Sequence, residues 1–104
     1  MPLYSKRFFT GQVNATGAVV PLWTVPAGVV HVLRDLEVFT ANVAATNVFL
    51  DIGANAVMVL NLQPNYATLK WEGRLVVNAG ETVGAFVPSG SCVLTACGYE
   101  LSSP

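Results

Sequence analysis

The chain has 104 residues, enough for one well-buried core and too few for two. Only 11% of them are charged and the net charge is −1, which excludes a disordered chain and leaves too few cations to neutralise the phosphates of a nucleic acid. With 53% hydrophobic residues in so small a domain, much of the exterior must be apolar or neutral, and such surface usually marks contact sites; the composition therefore predicts a member of an oligomer or larger assembly.

The first segment, Leu3-Tyr4-Ser5-Lys6-Arg7-Phe8-Phe9, places bulky apolar groups around two cations. It reads equally as the first strand of its own sheet or as an extended arm (1–9) that adds a strand to a neighbouring subunit. No apolar run follows Lys6 and Arg7, so no export leader is read. The most apolar stretch, Gly17 to Leu33, is interrupted by Pro21, Pro26 and His31 and cannot form a membrane-spanning helix.

Turn signals recur along the rest of the chain at the spacing of an all-β sandwich or barrel. They bound predicted strands at Phe8–Val13, Ala18–Thr24, Val29–Thr40, Thr46–Ile52, Ala56–Leu62, Ala67–Trp71, Arg74–Val77 joined to Thr82–Val87, and Ser91–Leu101. Alternation is clearest in three of them. Val48, Leu50 and Ile52 share one face while Asn47, Phe49 and Asp51 share the other. Ala67, Leu69 and Trp71 face inward, opposite Tyr66, Thr68, Lys70 and Glu72. Val83, Ala85 and Val87 share a face, opposite Thr82, Gly84 and Phe86.

Val29–Thr40 fits both periods, and its valines together with the uncapped Pro-Ala-Gly before it favour a strand. A β-bulge near Leu33–Asp35 reconciles the slip in its pattern. Pro26-Ala-Gly28 reads as a turn, and Asn78-Ala-Gly-Glu81 as the connection of a hairpin. Gly98 beside Tyr99 permits a close backbone approach or a bulge. The expected architecture is all-β: one domain over residues 1–104, an antiparallel β-sandwich, jelly-roll-like, of about eight strands. An immunoglobulin-like topology without its inter-sheet disulfide is the alternative.

The inventory for chemistry is thin. Cys92 and Cys97 are five residues apart on one strand, about 16 Å, too far for a disulfide and pointing to opposite faces. One histidine and no Cys-x-x-Cys pair make a metal centre improbable. His31 lies in an apolar run without a nucleophile elbow and reads as structural. Asp51, Glu72 and Glu81 carry no spacing that marks a glycosidase, and Asp51-Ile-Gly-Ala-Asn55 lacks the acids of a calcium loop and reads as a turn. Asn14-Ala-Thr16 matches a glycosylation sequon, a short pattern that arises often by chance. Catalytic, cofactor and metal residues are therefore all expected to be none. The aromatic residues suggest contact instead: Tyr4, Phe8, Phe9 and Trp23 at an interface, with Tyr66, Trp71 and also Trp23 as the residues that would stack on a glycan.

Four stretches together resemble small virion structural proteins of tailed bacteriophages that infect actinobacteria. They are Pro2-Leu3-Tyr4-Ser5, Trp23-Thr-Val-Pro-Ala-Gly28 leading into Val29–Leu36, Trp71-Glu-Gly-Arg-Leu-Val-Val-Asn-Ala-Gly-Glu-Thr-Val83, and Gly98-Tyr-Glu-Leu101. The resemblance implies a minor tail protein or a head decoration protein, a non-enzymatic β-sandwich in a homo-oligomer, often a trimer. It would contact other virion proteins (tail or major capsid protein), bind neither nucleic acid nor membrane, and reside in the virion after assembly in the host cytoplasm. The alternative is a carbohydrate- or receptor-binding module at the tail tip.

Overall fold

The computed structural model describes residues 6–40, 46–62 and 68–102. Among these residues eight strands run in chain order: β1 (Lys6–Asn14), β2 (Val20–Thr24), β3 (Val29–Phe39), β4 (Thr46–Ile52), β5 (Asn55–Leu62), β6 (Thr68–Val77), β7 (Thr82–Phe86) and β8 (Ser91–Ser102). They form two four-stranded antiparallel sheets, β1-β8-β3-β6 and β2-β7-β4-β5. Strand β1 pairs with β8, β2 with β7, β3 with β6 and β4 with β5, so the chain is one long antiparallel ribbon folded at the β4–β5 turn. Rolling that ribbon adds the pairs β3–β8 and β4–β7 and makes two layers of it.

The ribbon folds tightly where the sequence permits it. Ile52 pairs with Asn55 across a two-residue turn, and Gly53 supplies the left-handed backbone (φ +63°) that such hairpins need. The Pro-Ala-Gly turn before β3 behaves as expected, with Gly28 at φ +82°. The Asn78–Glu81 turn does not make a hairpin. It carries the chain from the end of β6 in one sheet to β7 in the other. Val25 clamps it: Gly80 N–H donates to the Val25 carbonyl and Val25 N–H donates to the Glu81 carbonyl, both at 2.9 Å. Two apolar runs around a tight turn look alike whether the second run pairs with the first or changes layer.

Between the sheets lie Leu33, Leu36 and Val38 of β3, Val48 and Leu50 of β4, Leu60 and Leu62 of β5, Val83 and Ala85 of β7, and Cys92, Leu94 and Ala96 of β8, all buried. Each large side chain among them contributes about 1.5–3 kcal/mol by leaving water. The alternations expected for β4, β6 and β7 hold: Leu69 and Trp71 pack against this core, and Val83, Ala85 and Val87 are in it. Leu33–Asp35 is a register shift in both pairings of β3. It keeps His31 and Leu33 inward before the shift and Leu36 and Val38 inward after it, which is why the segment also fitted a helical stripe. The predicted strands Ala67–Trp71 and Arg74–Val77 are one strand, β6; Ala67 itself lies outside the described residues. Gly73 does not break β6, because the Trp71 ring lies over it: a Cβ there would sit 2.5 Å from the ring. Both cysteines are free, Cys92 inside and Cys97 half-buried.

Candidate functional site

Charge is segregated between the sheets. All five lysines and arginines lie in β1, β3 and β6, in the first sheet. The four strands of the second sheet contain a single ionic side chain, Asp51. Strand alternation sends Phe49 and Asp51 of β4 and Phe86 of β7 to the outer face of that sheet, because their neighbours Val48, Leu50, Ala85 and Val87 fill the core.

Register then builds the surface row by row. Phe49 is paired with Phe86 on one side and with Val59 on the other, giving an apolar ridge across three strands. The two phenyl rings are tilted against each other with centroids 5.9 Å apart. In the next row Asp51 is flanked by Gly84 and Ala56, neither of which offers a side-chain donor. The Val19 side chain lies over Gly84, and beside it is a hollow of about 240 Å³ lined by Val19, Phe49, Asp51, Ala56 and Phe86. Asp51 is only 5% exposed, and its Oδ1 has no hydrogen-bond partner among the described residues. Around this hollow Val19, Val57 and Val59 are 41%, 44% and 55% exposed.

A second cluster closes one end of the sandwich. Trp23 Nε1–H donates to His31 Nδ1 at 3.1 Å, and His31 Nε2 lies 2.9 Å from Glu100 Oε1. The indole can only donate, so Nδ1 accepts and the ring proton sits on Nε2, directed at the carboxylate. Lys6 Nζ meets the same Glu100 oxygen at 3.0 Å. These two hydrogen bonds, that from His31 first, hold the Glu100 carboxyl below its usual range. Phe8 stacks on the His31 ring at 4.1 Å between centroids and tilts against Trp23 at 5.6 Å. The register shift between Arg7 and Phe9 provides this geometry, since Phe8 and Phe9 then both pack against the core. The cluster ties β2 of one sheet to β1, β3 and β8 of the other, as a latch between the two layers.

The predicted contact residues divide accordingly. Phe8 and Trp23 belong to the latch, Phe9 is half-buried against the core, and Trp71 covers Gly73 at the open edge of β6. Lys6 to Phe9 lie within β1, paired with β8 of the same chain. Tyr4 and Tyr66 lie outside the described residues. Sequence reasoning missed the Asp51 hollow and the His31–Glu100 contact. The first carried a signal: one acid in an otherwise uncharged pair of alternating strands. Among the described residues no group of three or more His, Cys, Asp or Glu side chains is placed to hold a metal ion, and no helix is long and apolar enough to cross a membrane. No protein-family profile matches the chain, and no curated protein matches it either.

Proposed function

We propose that this chain is a structural component of a tailed-phage virion, a minor tail protein or a capsid decoration protein, that works by self-association and attachment rather than by catalysis. The observation that carries the associating part of this reading is the outer face of the second sheet. It is an apolar ridge of Phe86, Phe49 and Val59 with exposed valines beside it and one acid in four strands. Contact surfaces that are lastingly covered have this depletion of charge at their centre. The virion setting rests on the resemblance of the four sequence stretches, which also suggests a trimer, assembly in the host cytoplasm, and tail or major capsid protein as the attachment partner.

The strand order supports reading the sandwich as a jelly roll. The nested pairs β1–β8, β2–β7, β3–β6 and β4–β5, rolled into two sheets, are the pattern of two interlocked Greek keys. An immunoglobulin-like order places β1 and β2 in one sheet, whereas here they lie in different sheets. The carbohydrate-binding alternative requires a free aromatic face. Trp23 is engaged by His31 and Phe8, and Trp71 lies against Gly73, so neither of these two presents such a face; Tyr66 lies outside the described residues.

Gold-labelled antibody against this chain, applied to intact particles of a phage whose genome encodes it, tests the reading by electron microscopy. Regular labelling of head or tail is the expected result. Particles that stay unlabelled, and that lack the chain when dissolved and blotted, would refute it.

A further inference from the structure

We propose that the hollow over Asp51 receives the guanidinium of Arg74 from a second copy of this chain. The inference rests on the self-association reading above and names the contact through which it works.

The hollow is incomplete as it stands. Asp51 is an acid 5% exposed, with an oxygen that no described residue satisfies, set among Phe49, Phe86, Val19 and Ala56. Burying a carboxylate among apolar groups is unfavourable unless a donor, preferably a charged one, meets it. Neither neighbour of the acid offers a donor: Ala56 carries only a methyl group, and Val19 lies over Gly84, so the lining around the carboxylate is apolar. An arginine side chain fits both parts: its methylene stem packs on the two phenyl rings while its planar head reaches the carboxylate. Guanidinium also loses less hydration than ammonium does on entering such a site.

This chain supplies the arginine on its other sheet. Lys6 is paired with Glu100 and Lys70 with Glu72, while Arg34 donates to the Gly73 carbonyl at 2.7 Å and sits over Tyr99. Arg7 and Arg74 are exposed and have no hydrogen-bond or ion-pair partner among the described residues. Arg7 stands beside the Lys6–Glu100 pair on β1. Arg74 stands on the edge strand β6 next to Val76, which is 46% exposed, so apolar surface accompanies the cation. Docking that side of one copy onto the second sheet of the next joins two different surfaces. Repetition of such a head-to-tail contact closes into a ring when its rotation permits, and a trimer is the smallest such ring.

Light scattering after size exclusion of Asp51→Asn, Arg74→Gln and their equimolar mixture tests this contact. Each variant alone should associate about ten- to hundredfold more weakly than the wild-type chain, as the loss of a charge-assisted hydrogen bond requires. The mixture should recover a heterodimer, because the Arg74 of one variant meets the intact Asp51 of the other, and it should stop there. Thermal melts of both variants close to wild type show that folding is intact. Wild-type association that Asp51→Asn leaves unchanged overturns this contact while the self-association reading stands. Variants that dissociate but form no heterodimer overturn Arg74 as the partner. Saturable binding of free arginine amide by a chain that stays monomeric overturns a second copy as the occupant. A wild-type chain that never associates refutes the self-association reading itself.

Discussion

Replacing Gly98 with alanine probes the tightest point of the fold. Gly98 lies on β8 opposite Leu33, next to the register shift in β3. A Cβ at this position would fall deep inside contact distance of the Val32 carbonyl oxygen and 3.0 Å from the Phe8 ring. The obstacle is backbone, not the movable end of a side chain, so β3 and β8 must part by about 1.5 Å to restore an ordinary carbon–oxygen separation. Overpacking in a rigid interior costs about 1–3 kcal/mol, and an immovable carbonyl puts this case at the upper end. For a domain of this size that corresponds to a fall in melting temperature of about 10–20 °C. Gly53→Ala is the control, since its Cβ meets nothing within 4 Å and only the left-handed backbone is penalised, at about 1–2 kcal/mol. Urea titration followed by tryptophan fluorescence, with thermal melts by circular dichroism, measures both variants. A Gly98→Ala chain as stable as wild type, or less perturbed than Gly53→Ala, would refute the close approach of β3 and β8.

The latch makes two further predictions. The Glu100 carboxyl is held below its ordinary 4.5 by the hydrogen bonds from His31 and Lys6, so the stability it contributes is present above pH 4.5 and is lost as pH falls through the lower folded value. Glu100→Gln should therefore be less stable than wild type at pH 7, with the gap closing in acid; a gap independent of pH in urea titrations would contradict this. Trp23→Phe removes the donor to His31 Nδ1, and nitrogen NMR of the ring should change from a pure Nε2–H form to a mixture, whereas an unchanged spectrum would mean that the indole does not set the tautomer. Burial pushes the Cys92 thiol from 9.0 up to about 11. A thiol reagent at pH 8 should thus reach Cys92 only after unfolding. Because the unfolded chain releases this proton first, stability should fall between pH 9 and about 11; Cys92→Ala lacks that component of the alkaline loss, and equal losses in the two chains would contradict the assignment.

Much of the architecture was legible because burial imposes a period of two. Val48 and Leu50, and Val83, Ala85 and Val87, announced their inward faces, and the misfit at Leu33–Asp35 announced a bulge. Pairing partners were less legible, since the same apolar pattern suits a hairpin and a change of sheet; Asn78–Glu81 is the example. Gly73 looked like a strand end because a ring needing a glycine beneath it leaves no periodic trace. The latch joins His31 to Glu100, 69 residues away, and only the rolled topology brings them together. Alternation puts Asp51 on the outward face, but it carries no trace of Val19, Ala56 and the two phenyl rings that bury the carboxylate there.

Sedimentation equilibrium of the purified chain from about 1 to 100 micromolar, at physiological salt, weighs the association on which this account depends. The charge-poor face of Phe49, Phe86 and Val59 predicts a discrete oligomer, a trimer if the ring closes at three, whose mass holds over most of that range. A single species of 11.0 kDa at every concentration would contradict it.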